Sequence, residues 1–226
     1  MEQENIKYSQ PYAVWLIEIA AKVIVPLVLV VLFVFVSTWI VIGEVVGNIN
    51  DVTDFWETIL CFSLPMFLAM SVLPVLFELL IKKNTLERIG LSYKSTKANN
   101  IFLALNFVVL VISFILIFCT GMDFVYVLSI ILSFLFVAIS EEIMMRGILM
   151  DTMTQKMPWL FAAVINSLIF AFVYHSSDDA LVNLIWRFPL GFILCVVAKK
   201  SGSVYQGIII HFWVNILVNV IPSYFI

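Results

Sequence analysis

Two adjacent glutamates closely followed by an arginine, and two histidines further downstream, are the residues of this chain with the most chemistry to offer. Glu141 and Glu142 follow the stretch FVYVLSIILSFLFVAIS, residues 124–140, which carries no charge. Arg146 comes four residues after Glu142, the favoured acid-to-base order for an i,i+4 helical pair. Such a pair cancels most of the charge cost of burying either group. Glu141 points about 100° away from Glu142 around a helix of 3.6 residues per turn, so one carboxylate can be paired while the other stays open. His175 and His211 are the only histidines, and both lie in apolar runs. Asn215 comes four residues after His211, on the same helical face.

These residue types can hydrolyse an amide in two ways. In the first, Glu141 takes a proton from a water that a histidine helps to hold. A carboxylate in a low-dielectric site is a stronger base than one in water, which suits it to that task near neutral pH. His211 and Asn215 then donate hydrogen bonds to the oxyanion of the tetrahedral intermediate. In the second, Glu141, His175 and His211 give one oxygen and two nitrogens to a divalent metal such as zinc, with a position left open. The sequence has no HExxH, so the standard zinc-protease helix is absent. A plainer alternative gives the histidines only hydrogen bonds between membrane helices. Residue types alone leave all three open.

Spacing brings the groups together. Pro158 falls where one helix must turn into the next, with Glu141 17 residues before it and His175 17 after it. In an antiparallel hairpin, equal distances from the turn place two residues at one height. At ~1.5 Å per residue the arms are about 25 Å long, so the helix bearing Glu141 has to run from near residue 124 to 156. The amphipathic stretch RGILMDTMTQKM is then the part that leaves the membrane on the cytoplasmic side.

The elements holding these residues are membrane helices. Hydrophobic residues make up 63% of the chain and charged residues 12%, and the mean hydropathy is +1.12. Soluble domains carry about 25% charge. The expected fold is all-α, a polytopic transmembrane bundle of about seven spans near 14–42, 58–81, 101–119, 124–145, 158–175, 180–198 and 203–225. The start of the chain lacks the pattern of a cleaved signal peptide, so the first hydrophobic segment is expected to remain as an anchor. The connection GEVVGNINDVTDFWET has four acidic residues and no Lys or Arg, whereas KKNTLERIGLSYKSTK has five basic ones. Basic connections stay in the cytoplasm, which predicts the N-terminus inside and the C-terminus outside. The basic connection itself is expected only to link two spans. Residues 1–123 form N-terminal membrane helices and that loop, 124–220 a catalytic core and 221–226 a tail.

Other polar residues in the spans have structural explanations. Glu18 and Lys22 have i,i+4 spacing, and Glu78 lies near the cytoplasmic end of the second span. Arg187 is deeper, and either neutralises an acid of the bundle or reaches Asp178 or Asp179. Cys61, Cys119 and Cys195 are isolated in apolar runs, as buried structural thiols are. The net charge of −3, with its basic residues in loops, argues against a nucleic-acid partner.

SEEIMMRG, residues 140–147, resembles the EExxxR motif of the CPBP family of membrane proteases, which includes type II CAAX prenyl endopeptidases and bacteriocin-immunity proteins. HFWVN resembles that family's HxxxN motif, and NSLIFAFVYH the helix that carries its middle histidine. The resemblance covers about 124–220. It implies an intramembrane endopeptidase with Glu141 as the water-activating base, Glu142 and Arg146 as supports, His175 positioning the water, and His211 and Asn215 stabilising the oxyanion. The family pattern has Phe four residues before the middle histidine. Ala171 stands there in this chain, between Phe170 and Phe172, and a one-residue insertion or local bulge would account for it. The expected partners are membrane lipids and a peptide or lipid-modified protein substrate. A composition rich in Ile, Phe, Val and Asn points to a bacterial cell membrane. The competing functional readings are a non-catalytic scaffold or immunity factor that keeps the fold, and a channel or transporter, for which the chain shows no duplicated halves.

Overall fold

The computed structural model describes residues 11–45, 54–120, 124–176 and 179–219. Among them there is no strand, and seven helices follow one another. Helix α1 spans Tyr12–Val41 and α2 spans Phe55–Ile81. Helix α3 spans Lys97–Thr120. Helix α4 runs unbroken as Phe124–Glu142, Ile143–Leu149 and Met150–Thr154. Helix α5 comprises Trp159–Ile169 and Phe170–Tyr174. Helix α6 spans Ala180–Ser201 and α7 spans Tyr205–Asn219. By length and composition α1, α2, α4 and α6 can each cross a membrane, while α3, α5 and α7 contribute the shorter apolar stretches Lys97–Ser113, Trp159–Tyr174 and Tyr205–Val218. The chain is an all-α, polytopic membrane protein. Lys7, Asp178, residues 221–226 and residues 46–53 of the acidic connection after α1 lie outside the described residues, as does the side chain of Cys119.

Local chemistry sets the helix ends. Asp54 accepts hydrogen bonds from the amides of Trp56 and Glu57, and Asp179 from those of Leu181 and Val182. These caps satisfy backbone donors that the first turn leaves without partners. Pro158 is fixed in extended backbone (φ −56°, ψ 141°) immediately before α5. Gly202 ends α6 in the left-handed region (φ 71°).

Among the described residues six wide π-helical turns interrupt the helices, and three have a common cause. Ile59–Ser63, Leu68–Val72 and Asn183–Arg187 each end two residues before a proline, namely Pro65, Pro74 and Pro189. Proline lacks an N–H, and its ring collides with the carbonyl four residues back. A wider turn relieves that collision. Phe77–Ile81 closes α2. The remaining two, Ile143–Leu149 and Phe170–Tyr174, precede no such proline.

Helix α4 is the centre of the bundle, with residues 140–150 all buried. One face packs Met145, Leu149 and Met153 against Ala162, Ala163 and Phe170 of α5 and Cys195 of α6. The other packs Ala138, Met144 and Ile148 against Met70 of α2 and Ile208 and Phe212 of α7. Lipid gives helices no hydrophobic drive toward one another, so such packing and polar contacts must hold the bundle. The main polar contact joins three helices. Lys22 stands 2.9 Å from Glu18, as the spacing predicts, and 2.6 Å from Glu78, while Lys82 stands 3.0 Å from Glu18. Trp15 Nε1 donates to the carbonyl of Thr152 on α4 at 2.8 Å.

The basic connection between α2 and α3 does more than link two spans. Arg88 pairs with Asp151 of α4 at 2.9 Å, and Ile89 is fully buried. The carbonyl of Gly90 accepts from the amide of Val204 at 3.0 Å, and that of Leu91 from the Tyr205 hydroxyl at 3.0 Å. A Cβ on Gly147 would lie 2.5 Å from the carbonyl oxygen of Ile89, so only glycine admits this approach.

Candidate active site

The unusual turns of α4 and α5 surround one polar cluster. Glu142 ends the regular part of α4, and Arg146 lies in the π-turn that follows. Arg146 Nη1 is 3.2 Å from Glu142 Oε1, and both side chains are fully buried. The guanidinium also donates through Nη2 to the carbonyl of Gly191 on α6 at 3.1 Å, and lies 4.5 Å from the centre of the Phe170 ring. Glu142 has a second partner. His211 Nδ1, from α7, stands 2.9 Å from the same Oε1. The expected Glu142–Arg146 pair is present, and His211 joins it.

Glu141 faces the histidines. Its Oε2 is 3.8 Å from His175 Nε2 and 3.6 Å from His211 Nε2. The same oxygen is buried and has no hydrogen-bond partner among the described residues. Buried carboxylate oxygens are normally hydrogen-bonded, and a polar gap above 3.5 Å is one that a water can bridge. The structure thus places three polar atoms from α4, the end of α5 and α7 around one point. Asn215 lies one turn beyond His211 on α7 and is half-buried.

The π-turn Phe170–Tyr174 accounts for the shifted phenylalanine. One extra residue per turn carries Phe170, five positions before His175, onto the histidine's side of the helix. Its ring meets His175 edge-on at 5.0 Å and His211 at 5.7 Å. Phe172 points elsewhere and is exposed.

The protonation of His211 follows from its partner. A carboxylate held by an arginine accepts hydrogen bonds, so His211 Nδ1 carries a proton and donates it to Glu142.

The three side chains suit a metal poorly. Arg187 Nη1 stands 3.5 Å from His175 Nε2, putting a cation beside the nitrogen a metal would use. Among the described residues no group of three or more His, Cys, Asp or Glu side chains is arranged to hold an ion. Arg187 thus reaches His175, and Asp179 caps α6, while Asp178 lies outside the described residues.

Several contributors are not evident from motif spacing. Asn166 donates to the carbonyl of Met145 at 2.8 Å, inside the π-turn of α4, where the altered bonding disturbs the normal ladder. Asn183, fully buried, donates to the carbonyl of His175 at 2.8 Å. A Cβ on Gly207 would lie 2.8 Å from Glu142 Oε2, and one on Gly191 3.3 Å from Arg146 Nη2. Their sequence signal is modest: amides and glycines inside apolar helices.

Residues 123–217 match the family model described as type II CAAX prenyl endopeptidase Rce1-like. Over this segment, somewhat under half of its length, the chain is similar to the CAAX-protease-like membrane peptidases. No curated protein and no solved structure matches the chain.

Proposed function

We propose that this protein is an intramembrane endopeptidase that hydrolyses a peptide bond of a membrane-associated peptide or lipid-modified protein. The observation that carries the reading is Glu141 Oε2, buried and facing both His175 Nε2 and His211 Nε2 at 3.8 and 3.6 Å. A water at that point gives its proton to Glu141 as its oxygen attacks the carbonyl carbon, with His175 fixing its position. Negative charge moves to the carbonyl oxygen, where doubly protonated His211 and the Asn215 amide donate. Glu141 then returns the proton to the leaving amine. Glu142 orients His211 through its Nδ1 hydrogen bond, Arg146 holds Glu142 in place, and this route uses no metal.

The test uses purified protein in lipid nanodiscs and a farnesylated peptide with a CAAX terminus, with products read by mass spectrometry. Cleavage should occur, persist with a chelator present, and disappear in Glu141→Gln. A protein that binds this peptide yet leaves it intact, with no difference between wild type and Glu141→Gln, would be a scaffold that keeps the fold. Activity abolished by the chelator and restored by zinc would instead return the histidines to metal binding.

A further inference from the structure

We propose that Asn183 and Arg187 of α6 form a clamp that sets the position and hydrogen-bonding state of His175, with half-buried Arg187 as a second cation beside the site. The inference rests on the hydrolytic reading above for its kinetic consequence, but not for its geometry. His175 needs an external support because it lies at the end of α5 with φ −116° and ψ 37°, outside helical geometry. Two residues spaced four apart on α6 provide it. Asn183 Nδ2 donates to the His175 carbonyl at 2.8 Å, and Arg187 Nη1 stands 3.5 Å from Nε2. Phe170 supplies the third side, edge-on at 5.0 Å.

Chemistry limits what this contact can be. Arginine donates only, so Nε2 accepts from Arg187 and the ring proton sits on Nδ1. A bare Nε2 has one lone pair, so it accepts either from Arg187, as in this structure, or, in exchange, from a water shared with Glu141. Arg146 pairs directly with Glu142, and Arg187 brings a second guanidinium to the His175 side of the site. Charged groups within a membrane span are costly unless they are partnered. Pro189 shapes the platform: the wide turn Asn183–Arg187 ends two residues before it.

The presence of only two histidines makes the clamp directly observable. Protein labelled with ¹⁵N-histidine is reconstituted in nanodiscs, and the ring-nitrogen signals are assigned with His211→Gln. Wild type should show an unprotonated, hydrogen-bonded Nε2 on His175. Arg187→Gln should shift the His175 signals and leave those of His211 in place, while Arg187→Lys should stay close to wild type. Asn183→Ala should broaden the His175 signals, and it carries the test if Arg187→Gln fails to insert. With the farnesylated peptide, Arg187→Gln should lower kcat about tenfold to a hundredfold, the range for a slightly misplaced catalytic group. KM should hold and lysine should restore the rate. His175 signals unchanged in both Arg187→Gln and Asn183→Ala would overturn the clamp. Shifted signals in a protein that never cleaves the peptide would uphold the clamp and remove the hydrolytic reading instead.

Discussion

Adjacent glutamates one residue apart in sequence have different surroundings, and substitution with glutamine should expose the difference. Glu141 has an oxygen open toward the two histidines, whereas Glu142 is closed between Arg146 and His211. Glutamine keeps the shape of either side chain and removes its charge. Glu141→Gln should therefore insert and melt like wild type while its cleavage rate falls on the order of 10²- to 10³-fold or more. Glu142→Gln leaves Arg146 beside a neutral partner in low dielectric, where a broken buried pair costs about 3 to 5 kcal/mol. It also removes the counter-charge of His211, so activity should drop further than the loss of folded protein explains. Thermal melts and single-turnover rates on the two variants make the comparison. A destabilised Glu141→Gln beside a stable, inactive Glu142→Gln would reverse the roles.

At the scale of the helix, the sequence is informative about periodic features and only partly about departures from them: the offset of Phe170 from His175 signals a bulge, but not how far it re-aims the helix. Apolar runs, Pro158 as a turn and the equal arms from Glu141 to His175 all follow from regular rise per residue, and α4 does extend to Thr154. The i,i+4 rule also places Arg146 on Glu142. What spacing rules miss are the π-turns, because one extra residue re-aims every side chain beyond it. Phe170 is the clearest case: four-residue spacing selects Ala171, while the wide turn presents Phe170 to both histidines. Contacts between distant segments, such as Asn183 with His175, have no local signature at all. Phe170→Ala should thus remove the ring that abuts His175, His211 and Arg146, and reduce the cleavage rate at least as strongly as it reduces the melting temperature. Truncating a buried aromatic costs about 3 to 5 kcal/mol, so a milder Phe170→Leu should accompany it. Phe172→Ala, on an exposed side chain, should leave both quantities near wild type; equal effects at 170 and 172 would count against the re-aimed face.

For the whole molecule, orientation is the outstanding expectation. The basic connection after α2 and the lysines that end α6 lie at one end of the bundle, where Asn99 Nδ2 donates to the carbonyl of Ser201 and Val204 meets Gly90. Reporter fusions after Lys97 and after Lys200 should both read cytoplasm, and one after Asp179 should read the opposite side. A cytoplasmic signal at Asp179 would require a different threading. The close seat of Ile89 over Gly147 has its own consequence for inheritance and engineering. The helices that carry the glutamates and histidines are finished by a piece of chain that precedes them, so the half proposed to be catalytic is not a portable module. A polypeptide starting at residue 123 would lack the Ile89 plug, the Arg88 partner of Asp151 and the Lys22–Glu78 tie, and should aggregate or be degraded. Supplying residues 1–122 as a separate co-expressed chain should recover it. Gly147→Ala in the intact protein should loosen the same seam, visible as faster proteolysis between residues 82 and 96.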